Sequence, residues 1–275
     1  MTNAKLFGGL CLAASLFLLG PWHAGAQEKT EGSSTSSIDA KAMLNKAVDF
    51  LSKAEQFSVT IRAGYDVVQR SGQKIEFGEI RKITLRRPDR FRSDIERSDG
   101  EKGLVVFDGK DITLFDEKEK VFARASRPGD LDGAVTYLLK DLGIRLPLAM
   151  MYLSRLPLEI QNRVRTVEIV EQYTLMDIPC VHLVAQTDDV DFQIWTASKG
   201  DPLLRRIVIT YKHENGQPQF WANLSEWNLS PNPSDTLFSF SPPDGVRQIS
   251  FLAQLDLAAP GPGKGKPEAK KGGKK

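Results

Sequence analysis

SVTIRAGYDVVQRSGQKIEFGEIRKITL, residues 58–85, carries the pattern that decides the fold. Val59, Ile61, Ala63, Tyr65 and Val67 alternate with Thr60, Arg62, Gly64 and Asp66. A period of two puts one set of side chains on each face of a strand. Ser71-Gly72-Gln73 interrupts the run as a turn, and Ile75, Phe77, Ile83 and Leu85 resume the alternation on a returning strand. Two such runs joined by a glycine turn read as an antiparallel hairpin.

The same signature repeats outward. Arg87-Pro88-Asp89 breaks the second strand, and Phe91, Ser93 and Ile95 form a third. Asp108-Gly109-Lys110 separates short apolar strands at 104–107 and 112–115, and 117–120 closes a hairpin into 121–125. Strands resume at 164–171, 181–186, 192–196, 203–211 and 220–229, with a last short one at 237–240 before Pro242-Pro243. Before the first strand, residues 38–57 carry apolar residues at helical spacing: Ala42, Met43, Ala47, Phe50, Leu51 and Ala54. Residues 131–142 and 148–153 are helical in pattern, rich in Leu, Met and Tyr, and broken by Gly143 and Pro147. The fold class is α+β, mainly antiparallel β. About eleven strands in one continuous sheet are expected to curl into an unclosed half-barrel with an N-terminal helix and a helical lid insert.

The ends of the chain read differently. Lys5, the apolar run 6–19 and Ala24-Gly25-Ala26 make a secretory signal peptide over 1–26, cleaved near Ala26. The run is shorter than the ~20 residues of a spanning helix. Leu10 is too large to precede a lipidated cysteine, and Cys11 lies mid-run, so no lipid anchor is expected there. Residues 27–37 read as a disordered polar leader, 38–251 as the folded domain, and 252–275 as a disordered Pro/Gly/Lys tail. The tail carries +5 over 261–275; with it and Lys5 set aside from the whole chain's +2, a body of −4 remains. An acidic body excludes nucleic acid as a partner, which would need cations clustered on the fold. The basic tail suits anionic surfaces. Cys180 alone remains after cleavage, so no internal disulfide holds the fold.

Catalytic chemistry is poorly supplied. Cys180 and His182 share a strand face, but same-face neighbours on a strand ordinarily pack. One Cys and one His make too few ligands for zinc. Asp188-Asp189-Val190-Asp191 lacks the glycine and closing glutamate of a calcium loop and reads as a solvated turn. Gly261-Pro262-Gly263-Lys264-Gly265-Lys266 follows no strand and opens no helix, so it is no phosphate loop. No cofactor, no metal and no enzymatic activity are expected; a hydrolase is the remote alternative.

The hairpin Asp108-Gly109-Lys110 with Ile112-Thr113-Leu114-Phe115 and Glu119-Lys120-Val121 resembles one in the LolA family of periplasmic lipoprotein carriers. Phe238-Ser239-Phe240-Ser241-Pro242-Pro243-Asp244-Gly245-Val246 is similar to that superfamily's closing segment. Arg87-Pro88-Asp89-Arg90-Phe91-Arg92 and Gly200-Asp201-Pro202-Leu203-Leu204-Arg205-Arg206 look most like domain of unknown function 2092, a predicted periplasmic family in the LolA/LppX/RseB-like superfamily. The resemblance spans 38–250 and implies an unclosed barrel with a helical lid over an apolar cavity. It also implies an arginine that braces the lid, for which Arg62, Arg81 and Arg92 are candidates.

The expected function is a non-catalytic, monomeric periplasmic carrier or sensor for a lipid, acyl chain or lipoprotein. The alternative is an envelope protein-interaction module whose groove is filled by its own side chains. Groove and lid candidates are Leu138, Leu142, Met150, Met151, Leu153, Trp195, Trp221 and Trp227. Barrel wall and core account for most of the tryptophans, and the insert serves equally as a fixed plug. Trp221 and Trp227 are expected on one sheet face. The leading segment predicts a mature N-terminus near Gln27 without a lipid, to be read by mass analysis of periplasmic protein; an acylated Cys11 would overturn it.

Overall fold

The computed structural model describes residues 33–142, 144 and 148–251. The signal segment, most of the leader, the Gly143 and Pro147 breaks and the basic tail lie outside them.

Helix α1 (Ser33–Lys53) begins inside the stretch read as leader and leads into six strands: β1 (Gln56–Val68), β2 (Lys74–Arg86), β3 (Arg90–Arg97), β4 (Lys102–Phe107), β5 (Asp111–Asp116) and β6 (Val121–Ser126). The insert follows as α2 (Leu131–Lys140), a 3-10 turn (Ala149–Tyr152) and α3 (Leu156–Arg163). A second run comprises β7 (Thr166–Leu175), β8 (Ile178–Gln186), β9 (Val190–Ala197), β10 (Leu204–Tyr211) and β11 (Gln219–Asn228). A 3-10 turn (Asp235–Phe238) and β12 (Arg247–Ile249) end the described chain.

All twelve strands form one sheet in the order β12-β6-β5-β4-β3-β2-β1-β11-β10-β9-β8-β7. Two antiparallel meanders meet where β1 pairs β11, with Ala63 opposite Ala222. β7 and β12 are the two ends, so the barrel is unclosed. Eleven of the strands match runs read in the sequence; the twelfth, β12, was not among them. It is three residues long and lies parallel to β6, too short for an alternation to register.

The inner face follows the period of two. Phe57, Val59, Ile61 and Ala63 of β1, Ile83 and Leu85 of β2, and Phe220, Ala222 and Leu224 of β11 are all buried in one core. Each such large apolar side chain contributes about 1.5–3 kcal/mol. α1 covers part of this face with Ala40, Leu44, Val48 and Leu51. That corrects the expected stripe, since Ala42 and Met43 are exposed. Apolar residues occur all round this helix, and the larger Leu44 and Val48 decide which side turns inward. α2 buries Leu131, Ala134, Val135 and Leu138, and its first turn is capped by the Asp130 carboxylate accepting from the Gly133 amide. At Gly109 the backbone takes φ +87°, and a Cβ there would lie within 2.6 Å of Arg90 Nη1 and of Asp89 Oδ2, so any other residue would be strained in this turn.

The expected strand at 237–240 is instead part of a strap across the outer face. Asp235–Phe238 forms a single 3-10 turn. Arg86 donates to the Pro233 carbonyl (3.1 Å), Arg92 to that of Leu237 (3.1 Å) and Arg124 to that of Phe240 (3.1 Å). Three arginines thus take up carbonyls that a ladder would otherwise satisfy. Phe238 is fully buried with Leu104 and Val106 in a small second core, and Phe240 packs its ring on Phe115 and Phe122. Phe238→Ala should therefore destabilise the protein by about 3 kcal/mol, measured as a shift in urea midpoint. An unchanged midpoint would show that the strap is not part of the cooperative fold.

Candidate functional site

β10 reads Leu204-Arg205-Arg206-Ile207-Val208-Ile209-Thr210-Tyr211, and every one of its residues is only half-buried. An inner strand with Ile207 and Ile209 on the core side would ordinarily be covered. Here the two isoleucines face a cleft of about 590 Å³. Phe192 and Ile194 of β9 extend its floor; Leu44, Val48 and Leu51 of α1, Met150 and Met151 of the 3-10 turn, and Leu156 and Ile160 of α3 form its other walls. The lining is mostly apolar, and the volume falls within the usual range of small-ligand pockets.

Polar groups gather where α3 ends and β8 turns into β9: Asn162, Arg163, Arg165, Thr187, Asp188 and Asp189. Arg165 donates twice to Asp188, Nε to Oδ1 at 3.0 Å and Nη2 to Oδ2 at 2.5 Å. That contact holds the Asp188 carboxyl below its ordinary range. Arg163 donates to Glu159 at 3.1 Å. Lys212 reaches Asp191 at 3.2 Å and the Thr187 carbonyl at 2.5 Å. The Asp188–Asp191 turn is thus engaged by cations of the chain itself. Among the described residues no group of three or more Asp, Glu, His or Cys side chains is placed to hold a metal.

The insert is pinned from below. Arg87 donates through Nη1 to the Tyr152 carbonyl (2.8 Å) and through Nε to that of Ala54 (3.2 Å), tying the insert to the end of α1. Burial makes its guanidinium less basic than usual, opposed by Asp132. Asp132 in turn accepts from the Ser154 amide and hydroxyl, both at 2.8 Å. Of the lid-bracing candidates, Arg62 is exposed, Arg92 pairs with Asp94 under the strap, and Arg81, near Tyr152 of the insert, pairs with Glu79 at 2.6 Å. The Glu79 and Arg81 side chains are 3% and 6% exposed, so this pair is sealed in the core beside Tyr152. Arg87 was not among the candidates because it sits beside Pro88, where the sequence marks only a strand break.

Of the expected groove residues, Met150 and Met151 line the cleft. Leu138 and Leu153 lie in the main core, and Leu142 packs against it. Trp195 and Trp221 face outward. The Arg206 guanidinium lies 5.6 Å from each indole, Trp195 stacks on His182 at 4.0 Å, and Trp221 donates to Glu76 at 2.9 Å. Trp221 also lies over Gly64, where a Cβ would come within 2.6 Å of the ring. Trp227 is on the other side, against Phe57 at 5.4 Å and bonded to the Leu204 carbonyl at 3.0 Å. The two tryptophans do not share a face because the β1–β11 register shifts between Ser58 and Thr60, where Glu226 has φ +53°. The extra residue of a bulge reverses the alternation beyond it. Ile207, Ile209 and Ile194 were not singled out as groove residues, although their period of two was readable. The Cys180 thiol is buried, which pushes its pKa up, and His182 is engaged by Gln193 at 3.1 Å.

The model of the family described as "Predicted periplasmic protein (DUF2092)" matches residues 40–252. No curated protein matches the chain. Among solved structures it is similar to the lipoprotein LppX of Mycobacterium tuberculosis (13% identity, 72% of this chain and 98% of that one, TM-score 0.44). It is similar also to LprF of Mycobacterium bovis (13%, 77% and 99%, TM-score 0.45) and to a LolA superfamily protein of Nitrosomonas europaea (11%, 73% and 97%, TM-score 0.36).

Tyr152 supplies a pH test of the insert's packing. Its ring lies 4.8 Å from Phe91, and burial pushes its pKa from 10.0 up to about 12. Below pH 10 the phenol is protonated in folded and unfolded chains alike, and its contribution is intact. As pH rises from 10 to about 12 only the unfolded chain loses the proton, so stability falls by up to roughly 2–3 kcal/mol. Tyr152→Phe should remove that part of the alkaline loss, read as urea midpoints of both proteins at pH 9 and pH 11. Parallel losses in the two would show that Tyr152 is solvated.

Proposed function

Because the chain belongs to the DUF2092 family of predicted periplasmic proteins and works in the periplasm, we propose that it is a non-catalytic carrier or sensor that seats an acyl chain or other lipid moiety in the cleft along β10. The observation that carries this reading is the uncovered apolar floor of Ile207 and Ile209 under a wall that includes two methionines. Unbranched methionine side chains adapt to ligands of varied shape. Each methylene moved from water into such a cleft contributes about 0.8 kcal/mol, on the order of 12 kcal/mol gross for a sixteen-carbon chain. Ordering the ligand and shifting the walls subtract from that. The absence of catalysis is part of the proposal, supported by a buried, weakly acidic Cys180 and a His182 occupied by stacking and by Gln193.

A second reading has its own observation. β7 ends the sheet, and Val170, Tyr173 and Met176 on it and its turn are about half exposed, at 51%, 47% and 56%. Such an edge suits an extended segment of another protein.

A fluorescent long-chain fatty acid separates the two. The first reading expects saturable binding, weakened at least tenfold by Met150→Asp and by Ile207→Asp, with Met150→Asp lowering the melting temperature little. Tenfold corresponds to about 1.4 kcal/mol. Absence of probe binding, together with native mass spectrometry of periplasmic protein that carries no lipid, would overturn it in favour of the protein-binding module.

A further inference from the structure

The cleft has a measurable capacity and a polarity along its length. A space of about 590 Å³ sits in the middle of the usual range for a pocket that takes one small ligand. The floor runs along β10 from Leu204 to Tyr211, roughly 23 Å at about 3.3 Å per residue. A lipid leaflet, half of a ~30 Å hydrocarbon core, is only about 15 Å thick, so one chain lies along this floor without folding back.

The two ends differ. Pro202, Leu203 and Leu204 with Phe50 and Leu51 of α1 make one end apolar. The other holds Asn162, Arg163, Arg165, Thr187, Asp188 and Asp189. Its cations already face carboxylates of the chain: Arg165 meets Asp188, Arg163 meets Glu159, and Lys212 meets Asp191. Asp189 adds an exposed carboxylate. This end therefore offers hydrogen-bonding groups of both signs and no surplus positive charge for an anion.

We infer, resting on the binding reading above, that the ligand is a single-chain amphiphile without net charge, its tail toward the β9–β10 turn and its head at the β8–β9 turn beside Asp189. A lysophospholipid with a zwitterionic head fits this description. A free fatty acid shares the tail but meets no surplus cation at this end and should bind more weakly, and a diacyl lipid brings a second chain for which the β10 floor offers no separate track.

The test uses the folded protein freed of lipid and three probes: palmitoyl lysophosphatidylethanolamine, palmitate and dipalmitoyl phosphatidylethanolamine, each presented below its aggregation limit or by exchange from vesicles. One equivalent of the lysolipid should bind at least tenfold more tightly than either of the others. Asp189→Lys, on an exposed turn, should improve palmitate relative to the lysolipid by about tenfold. Diacyl binding as tight as the lysolipid's would overturn the single-chain limit. Palmitate binding tighter than the lysolipid's, or an Asp189→Lys protein with unchanged preference, would overturn the head-group placement. In each of these cases the binding reading itself survives. Failure of all three probes to bind would take down that reading and this one with it.

Discussion

The pairing of β1 with β11 is the constraint on which the rest of the molecule depends. It sets Ala63 opposite Ala222 across nearly the whole folded chain. Without it there are two separate meanders, each with its apolar face open to water. With it, the two faces become one continuous inner surface on which the helices can close. Contacts this distant in sequence repay their loop-closure cost only when they form. The core they complete explains why β1 is among the most thoroughly buried strands, with Phe57, Val59 and Ile61 at 0–2% exposure. The junction is locked from outside as well: Trp221 spreads over Gly64, and its indole nitrogen reaches Glu76 on β2.

On either side of that junction the same sheet does different things. The β1–β6 half is filled by its own side chains, and its outer face carries the C-terminal strap. The β9–β10 part keeps an unfilled floor. The insert serves both, burying Tyr152 against Phe91 in the filled half and aiming Met150 and Met151 at the cleft. Arg87 holds the end of α1 and the insert together, so movement of one is felt by the other. The Glu79–Arg81 pair beneath is a costly thing to seal in a core, since desolvation offsets much of its attraction. Both members sit on one strand, two residues apart, and satisfy each other bidentately. This is the arrangement in which such a pair is tolerated.

Most of the strands were legible because alternation of large apolar residues with polar ones is a local signal. So were the glycine turns, the position of the insert and the overall unclosed sheet. What escaped was set by tertiary partners. The bulge at Glu226 is invisible in a run that alternates well on paper, and it sends Trp227 to the opposite face from Trp221. Phe238 and Phe240 alternate like a strand, yet their backbone is held by arginines from three different strands. α3 is eight residues with Leu158 turned to solvent, too short for a helical period to stand out. The cleft was legible in its methionines and not in its floor. Ile207 and Ile209 look like any core residues until the described residues are seen to leave a cleft beside them.

The two edges of the sheet are unequal. On one side β12, three residues long, lies along β6 after a strap fastened by Arg86, Arg92 and Arg124. On the other, β7 is ten residues long, with α1 packed against it and a register shift near Glu171. A body with two good edges can join copies of itself without limit, as fibrils do. A body with one can be extended once, and the addition leaves no equivalent edge for the next. Among the described residues the β12 side therefore offers a further strand only a three-residue ladder, too little to carry backbone pairing onward.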